Sequence, residues 1–307
     1  MVGALHRIPG SIYAVLLLLV VFRLGSEHFL TLSNFLNILQ QSSILAIVAI
    51  GSFLAILSHG IDLSLGAVVS FAGVVAALLM MQGHPVLLAG VVALALSAAL
   101  CALNGFLIAR TGVDPFIITL GAMGTLEGLA LVLAGGATVP ATAAGFKVLG
   151  GGSFLFVPLA AILALACYAV FGWLLKRTAL GTHIYAIGGN EEAAILAGIP
   201  VRRIKTLVYA VNGALAAFAG LILTSRLGSA NPSQGIGIEF DGIAAAVVGG
   251  TSLAGGRGNV WGTFMGAVII AVLRNGLNMA GLPMALQMVI VGLIMVGVLT
   301  IDTLRRR

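Results

Sequence analysis

Long apolar runs, broken by short polar punctuation, set the pattern of this chain. Runs long enough to cross hydrocarbon, about 17–25 residues each, fall at 8–24, 35–57, 63–81, 86–109, 116–134, 154–175, 206–224, 259–279 and 284–300. A shorter run at 240–253 is bounded by glycines and reads as either a re-entrant hairpin or a compact span. The pattern predicts an all-α polytopic membrane protein of about ten transmembrane helices with glycine-broken segments. Domain organisation follows: one transmembrane domain over 1–307, with a polar loop at 176–205 inside it.

That loop is the largest polar segment in the chain and is too short to bury a core of its own. It contains Gly188, Gly189, Asn190, Glu191, Glu192 and Ala193, and runs on to Gly198 and Pro200. Asn190 is a good N-cap, and Glu191 and Glu192 suit the positive end of a helix dipole. Gly198 fits the C′ position, and Pro200 blocks continuation. The spacing predicts a helix of about two turns, and helices below roughly 12 residues are marginal alone. Ala193 to Ala197 is apolar on every side, so this helix needs something to dock on.

Charge then fixes the expected topology. With ten spans and the N-terminus inside, one side holds Arg7, Arg110, Lys176, Arg177, Arg202, Arg203, Lys205, Arg257 and Arg305 to Arg307, eleven of the fifteen Lys and Arg. The other side keeps Arg23, Lys147, Arg226 and Arg274. By the positive-inside rule both ends are expected in the cytoplasm; nine spans would put the triple-arginine tail outside. Residues 8–24 read as a retained span, because no small-x-small cleavage site follows them. Only 8% of the residues are charged, against about 25% in soluble domains, which excludes a water-coated fold. The basic residues are spread among loops and do not suggest nucleic acid.

Catalytic chemistry is not indicated. No metal-binding His/Glu helix, nucleophile elbow or phosphate loop ending in Lys-Ser or Lys-Thr occurs, so no cofactor, metal or catalytic residue is expected. His6, His28, His59, His84 and His183 fall near span ends or in loops, and Cys101 and Cys167 lie inside apolar runs as packing residues. Gly213, Ala217, Gly220, and Gly262 with Gly266, have the spacing of close helix packing in lipid. Two polar breaks stand out. In Ser58–Gly66, Asp62 either caps a helix beginning near Ser64 or belongs to a permeation path through an interrupted helix. Gly249 to Asn259 reads as a tight turn or a break at membrane depth. Glu239 and Asp241 precede an apolar run, either as caps at a helix N-terminus in the outer aqueous layer or as part of a periplasm-facing entrance. Asn212, Asn275, Asn278 and Gln287 offer donors and acceptors that suit either a polyhydroxylated solute or contacts between helices. The candidate path residues are therefore Asp62, Ser64, Asn212, Asp241, Asn275, Asn278 and Gln287.

Several of these segments, taken in order, resemble a known family. They are Gly60-Ile61-Asp62-Leu63-Ser64-Leu65-Gly66, Pro115-Phe116-Ile117-Ile118-Thr119-Leu120-Gly121, Leu180-Gly181, Tyr185 to Glu191, Phe240 to Ala245, and Val248 to Gly256. From about Leu32 to Asp302 the chain is similar to the permease subunits of ABC-type monosaccharide importers, the ribose permease branch. The resemblance implies a ten-span subunit of a bacterial inner membrane that pairs with a second permease, identical or related. It also implies two cytoplasmic ATPase domains, a periplasmic sugar-binding protein, and ribose or another simple sugar as cargo. In such permeases the loop matching Leu180 to Lys205 carries the short coupling helix that seats in the ATPase. ATP hydrolysis is then expected on a partner chain. A rival reading is a stand-alone ion-coupled sugar transporter with Asp62, Glu239 or Asp241 as the ion site; it wants partnered mid-span acids, and Glu127 is the one plausible example. A non-transporting scaffold leaves the broken polar segments unexplained.

Overall fold

Glycine, proline and amide caps set the helix boundaries in the computed structural model, which describes residues 10–25 and 27–305. The described elements are α1 (Gly10–Gly25), α2 (Leu32–Leu57), α3 (Leu65–Met81), α4 (Val86–Thr111), α5 (Pro115–Leu133), β1 (Val139–Pro140), α6 (Lys147–Gly151), β2 (Ser153–Phe154) and β3 (Val157–Pro158). They continue with α7 (Leu159–Arg177), α8 (Ala179–Gly189), α9 (Glu191–Leu196), α10 (Val201–Leu227), β4 (Ser229–Ala230), α11 (Ile238–Val248), α12 (Val260–Met279) and α13 (Met284–Arg305). Among the described residues, α2, α4, α5, α7, α10 and α12 are long and apolar enough to cross a membrane. The protein is a multi-pass, helical membrane protein, and among the described residues the only strands are two short antiparallel pairs, β1–β4 and β2–β3. Arg7, Arg306 and Arg307, which weighed in the topology expectation, lie outside the described residues.

α2 is the axle of the bundle. It packs against α7, α10, α11 and α12, and most of its apolar length is buried, whereas α4, α5 and α7 keep most of theirs outward. Close packing rests on glycines where a methyl group would strike backbone. A Cβ on Gly213 would sit 2.5 Å from the Ser97 carbonyl of α4, and one on Gly220 2.4 Å from the Val69 carbonyl of α3. The Gly262/Gly266 pair faces α11, with Gly266 against the Ala245 carbonyl. Packing, not a hydrophobic drive, holds helices together in lipid, and these contacts bear out the small-residue reading.

Two expectations change. The run at 154–175 becomes helical only at Leu159, because residues 153–158 close into the β2–β3 hairpin. The run at 206–224 is the middle of the longer α10, which Pro200 starts and the left-handed Gly228 ends. The uncertain run at 240–253 contributes α11, 11 residues or about 16 Å.

The polar break after α2 explains a second short helix. The chain leaves α2 at Ser58, turns through His59 at φ +59°, and climbs back along α10 before α3 starts at Leu65. Tyr209 donates to the Ile61 carbonyl at 3.2 Å, and Asn212, the twelfth of the 27 residues of α10, reaches Asp62. So α3 begins near the middle of α10's length. α11 begins at the same level from the other direction: Ser70 of α3 accepts from Gly235 N at 2.8 Å, and Gly66 abuts Glu239. Two half-helices thus meet N-terminus to N-terminus inside the bundle.

Candidate functional site: a docking helix and a buried polar seam

At one end of the bundle the polar loop folds into two helices, α8 and α9. α8 was not expected from the sequence. Thr178 caps it by accepting from Gly181 N, and Gly181, Ile184, Ile187 and Gly188 form its buried face. Its C-terminus is wedged against the end of α2: Gly256 N donates to the Leu57 carbonyl at 3.0 Å, and Gly188 is pressed between those two groups. Tyr185 donates to the Gly258 carbonyl at 3.0 Å. The Gly249-to-Asn259 stretch is therefore a tight turn that braces α8, closed by Ser252 N to the Arg257 carbonyl at 2.9 Å.

α9 matches its expected caps. Asn190 Oδ1 accepts from Ala193 N at 2.9 Å. At the other end Gly198 adopts φ +79°, Gly198 N bonds Ile195 O and Ile199 N bonds Ala194 O, the paired bonds of a Schellman close. One expectation is refined: Glu191 does more than face the helix dipole, because Lys205 Nζ donates to its Oε2 at 2.5 Å and so ties α9 to the base of α10. Ala194 packs inward, while Glu192, Ala193, Ile195 (57% exposed) and Leu196 (89% exposed) face out. Hollows of about 540 and 550 Å³ flank α9, one lined by His59, Gly188, Gly189 and Asn190, the other by Ile199, Pro200, Arg202 and Arg203. A helix this short is held by its caps and one ion pair, and presents bare aliphatic tips.

Deeper in the bundle, three of the seven candidate path residues come together. Asp62, 1% exposed, accepts from Ser64 N at 3.1 Å, Ser64 Oγ at 2.6 Å and Asn212 Nδ2 at 3.4 Å. It braces the start of α3, the role of the capping reading, and joins it to α10. Among the described residues Asn212 Oδ1 has no hydrogen-bond partner. Glu239 folds over the start of α11, accepting from Gly237 N at 3.0 and 3.1 Å; it caps as expected, but at 3% exposed it lies buried against Gly66 and not in the expected aqueous layer. Each half-helix N-terminus thus carries a buried carboxyl group that accepts a backbone N–H.

The other four do not join this seam. Asp241 is clasped by Arg274, whose Nη2 donates to Oδ1 at 2.7 Å while Nε lies 2.6 Å from Oδ2. Arg274, counted with the loop charges of the far side, sits within α12. Asn275 exchanges amide bonds with Asn34 of α2 at 2.9 and 3.0 Å, so the interhelical reading holds there. Gln287 donates to Leu282 O at 2.9 Å at the start of α13. Asn278 is exposed at the end of α12. Among the described residues no cluster of His, Cys, Asp and Glu could hold a metal.

A family model described as branched-chain amino acid transport system / permease component matches residues 34–299, nearly the whole bundle. The chain belongs to this permease family. It is 39% identical to the ribose import permease protein of Bacillus subtilis (strain 168) over 98% of this chain and 94% of that one. It is 41% identical to the ribose import permease protein of Escherichia coli (strain K12), covering 95% and 92%. A D-allose transport system permease protein of the same organism is 36% identical, covering 96% and 91%. No solved structure gave a significant match. The permease is thus aligned end to end with sugar-transport relatives, and its polar loop, glycine turn and broken helix all fall inside the matched residues.

Proposed function

We propose that this permease is the membrane subunit of an ATP-binding-cassette importer that carries a monosaccharide, ribose or a close relative, across the bacterial inner membrane. The observation that carries the reading is α9: a capped helix, pinned by Glu191–Lys205, that exposes Ile195 and Leu196 at the charged end of the bundle. In this reading the work comes from a partner ATPase docked on Gly188 to Ala193 and the rest of α9. ATP binding closes the ATPase pair, α9 moves with it, and α8 passes the motion to the ends of α2 and the 249–259 turn, which bear on it directly. Alternating access then carries the sugar, received from a periplasmic binding protein, between two permease subunits.

We read ten spans: α1 to α5, α7 and α10 to α13, with both chain ends on the α9 side. Arg110, Lys176, Arg177, Arg202, Arg203, Lys205 and Arg257 gather at that end of the bundle, which supports its being cytoplasmic. The ion-coupled alternative is not favoured, because Asp62, Glu239 and Asp241 are each engaged in structural bonds. Purification of the tagged permease from native membranes in mild detergent tests the proposal. Co-purification of a nucleotide-binding ATPase and ATP-dependent sugar uptake in vesicles are expected. Isolation of the chain alone, with ATP-independent uptake, overturns it.

A further inference from the structure

The β2–β3 hairpin has the wrong residues for its backbone. Ser153 pairs with Pro158 and Phe154 with Val157, leaving Leu155 and Phe156 as a two-residue turn. Both have positive φ, +48° and +70°, the type I′ pattern that favours Asn-Gly and penalises side chains with a Cβ. The tip is also bare: Phe154, Leu155 and Phe156 are 64%, 76% and 88% exposed. An exposed loop would ordinarily take polar turn residues here. Strain kept at an exposed apolar site points to a contact that repays it.

The surroundings identify that contact. Residues 151–160 hold no charge; Phe156 borders a hollow lined by His28, Thr31, Asn37 and Gln40, which Phe154 and Leu155 do not line. The hairpin runs into α7 without a linker, Pro158 being the N-cap. α7 is 19 residues, about 28 Å, close to the hydrocarbon thickness of about 30 Å. It ends in Lys176–Arg177 at the α9 end and exposes Leu165, Val170 and Trp173 along its length. The hairpin therefore sits at the opposite membrane boundary, continuous with a lipid-facing flank. We propose that the Phe154–Phe156 tip inserts into the leaflet farther from α9, anchoring the start of α7 among phospholipid headgroups and upper acyl chains.

Nitroxide labels at Leu155→Cys, and separately at Phe154→Cys, test this in the full chain with Cys101→Ala and Cys167→Ala, reconstituted in phosphatidylcholine/phosphatidylglycerol vesicles. Phe154 lies outside the positive-φ turn, so its label does not depend on the strained positions. Collision with oxygen is expected to exceed collision with a water-soluble nickel chelate several-fold, while a reference label at the exposed Glu192→Cys shows the reverse. Nickel access equal to the reference overturns the proposal. So does a label shielded from both reagents, which would mean that a second copy or another protein covers the tip. Leu155→Asn/Phe156→Gly, which supplies the preferred turn pair, should keep the hairpin and abolish the oxygen preference of the label at 154; an unchanged ratio counts against insertion by the tip.

Discussion

Gly188 and Gly189 are adjacent glycines in opposite surroundings, and substituting each separates the fold from the proposed docking surface. A Cβ at Gly188 would lie 1.8 Å from the Leu57 carbonyl oxygen and 2.4 Å from Gly256 N. Both obstacles are backbone, so no rotamer relieves them, and the Gly256–Leu57 hydrogen bond must open. Overpacking of this kind costs about 1–3 kcal/mol, and a lost hydrogen bond adds ~1 kcal/mol. At an unfolding entropy of about 2.1 cal/mol/K per residue, a chain of 307 residues shifts by about 1.5 °C per kcal/mol, so Gly188→Ala should lower the melting temperature of the purified permease by roughly 3–6 °C. A Cβ at Gly189 meets nothing within 4 Å and opens onto the hollow beside α9. Gly189→Leu should therefore leave melting within about 1–2 °C of the parent, as exposed substitutions do, yet obstruct the partner. The assay pairs thermal melting with ATP-driven uptake in vesicles containing the ATPase. Gly189→Leu is expected to lose most uptake per ATP hydrolysed. Uptake at the parent rate would refute the docking assignment, and a melting loss equal to that of Gly188→Ala would refute the packing argument.

Three further outcomes follow from the geometry. Asn190→Ala removes the α9 cap, worth ~1 kcal/mol; amide exchange at Ala193 should accelerate about fivefold with the bundle's melting unchanged, and an unaltered rate means that the cap bond is idle. Asp241→Asn strips Arg274 of its counter-charge inside α12 and should cost ~3 kcal/mol, read as lower yield and melting temperature. Pairing it with Arg274→Gln should recover most of that loss, so a double variant no better than the single one counts against the ion pair. A double-mutant cycle on Asn34→Leu and Asn275→Leu should return a coupling of about 0.6 kcal/mol, at most ~1.7 kcal/mol; zero coupling denies the α2–α12 bridge.

What the sequence revealed and what it hid divide along one physical line. α9 was legible because its signals are local: Asn190, Glu191, Gly198 and Pro200 act on backbone groups within a few residues. The break at Gly60–Gly66 was legible for the same reason, since an acid beside glycines in an apolar run has few explanations. α8 was missed because its buried face, Gly181, Ile184, Ile187 and Gly188, is small and aliphatic and blends with the apolar runs around it. The β2–β3 hairpin was missed because Leu-Phe is a span-like pair and not a turn signal. Partners far apart in sequence left no trace: Asp241 meets Arg274 across 33 residues, and Asn34 meets Asn275 across 241. Both pairs needed the bundle to be closed before either member had a reason to be polar.

The same limit hid the relation between the two breaks. Read singly, Asp62 before α3 and Glu239 in the first turn of α11 are two local caps. Folded, they are one feature, because α3 and α11 start at a shared level and a Cβ on Gly66 would lie 1.8 Å from Glu239 Oε2. Two helix N-termini face each other there, and each acid accepts a backbone N–H at the end it covers. Asp62 faces Ser64 and Asn212 and Glu239 faces Gly237, so neither acid is left as a free ion site. Gly66 lets the two ends approach this closely, which is why the first broken segment carries a glycine on the third position after Leu63 and the second places Gly235 and Gly237 ahead of Glu239. The two polar breaks thus form one joint, at which two half-helices start at the same level of the bundle.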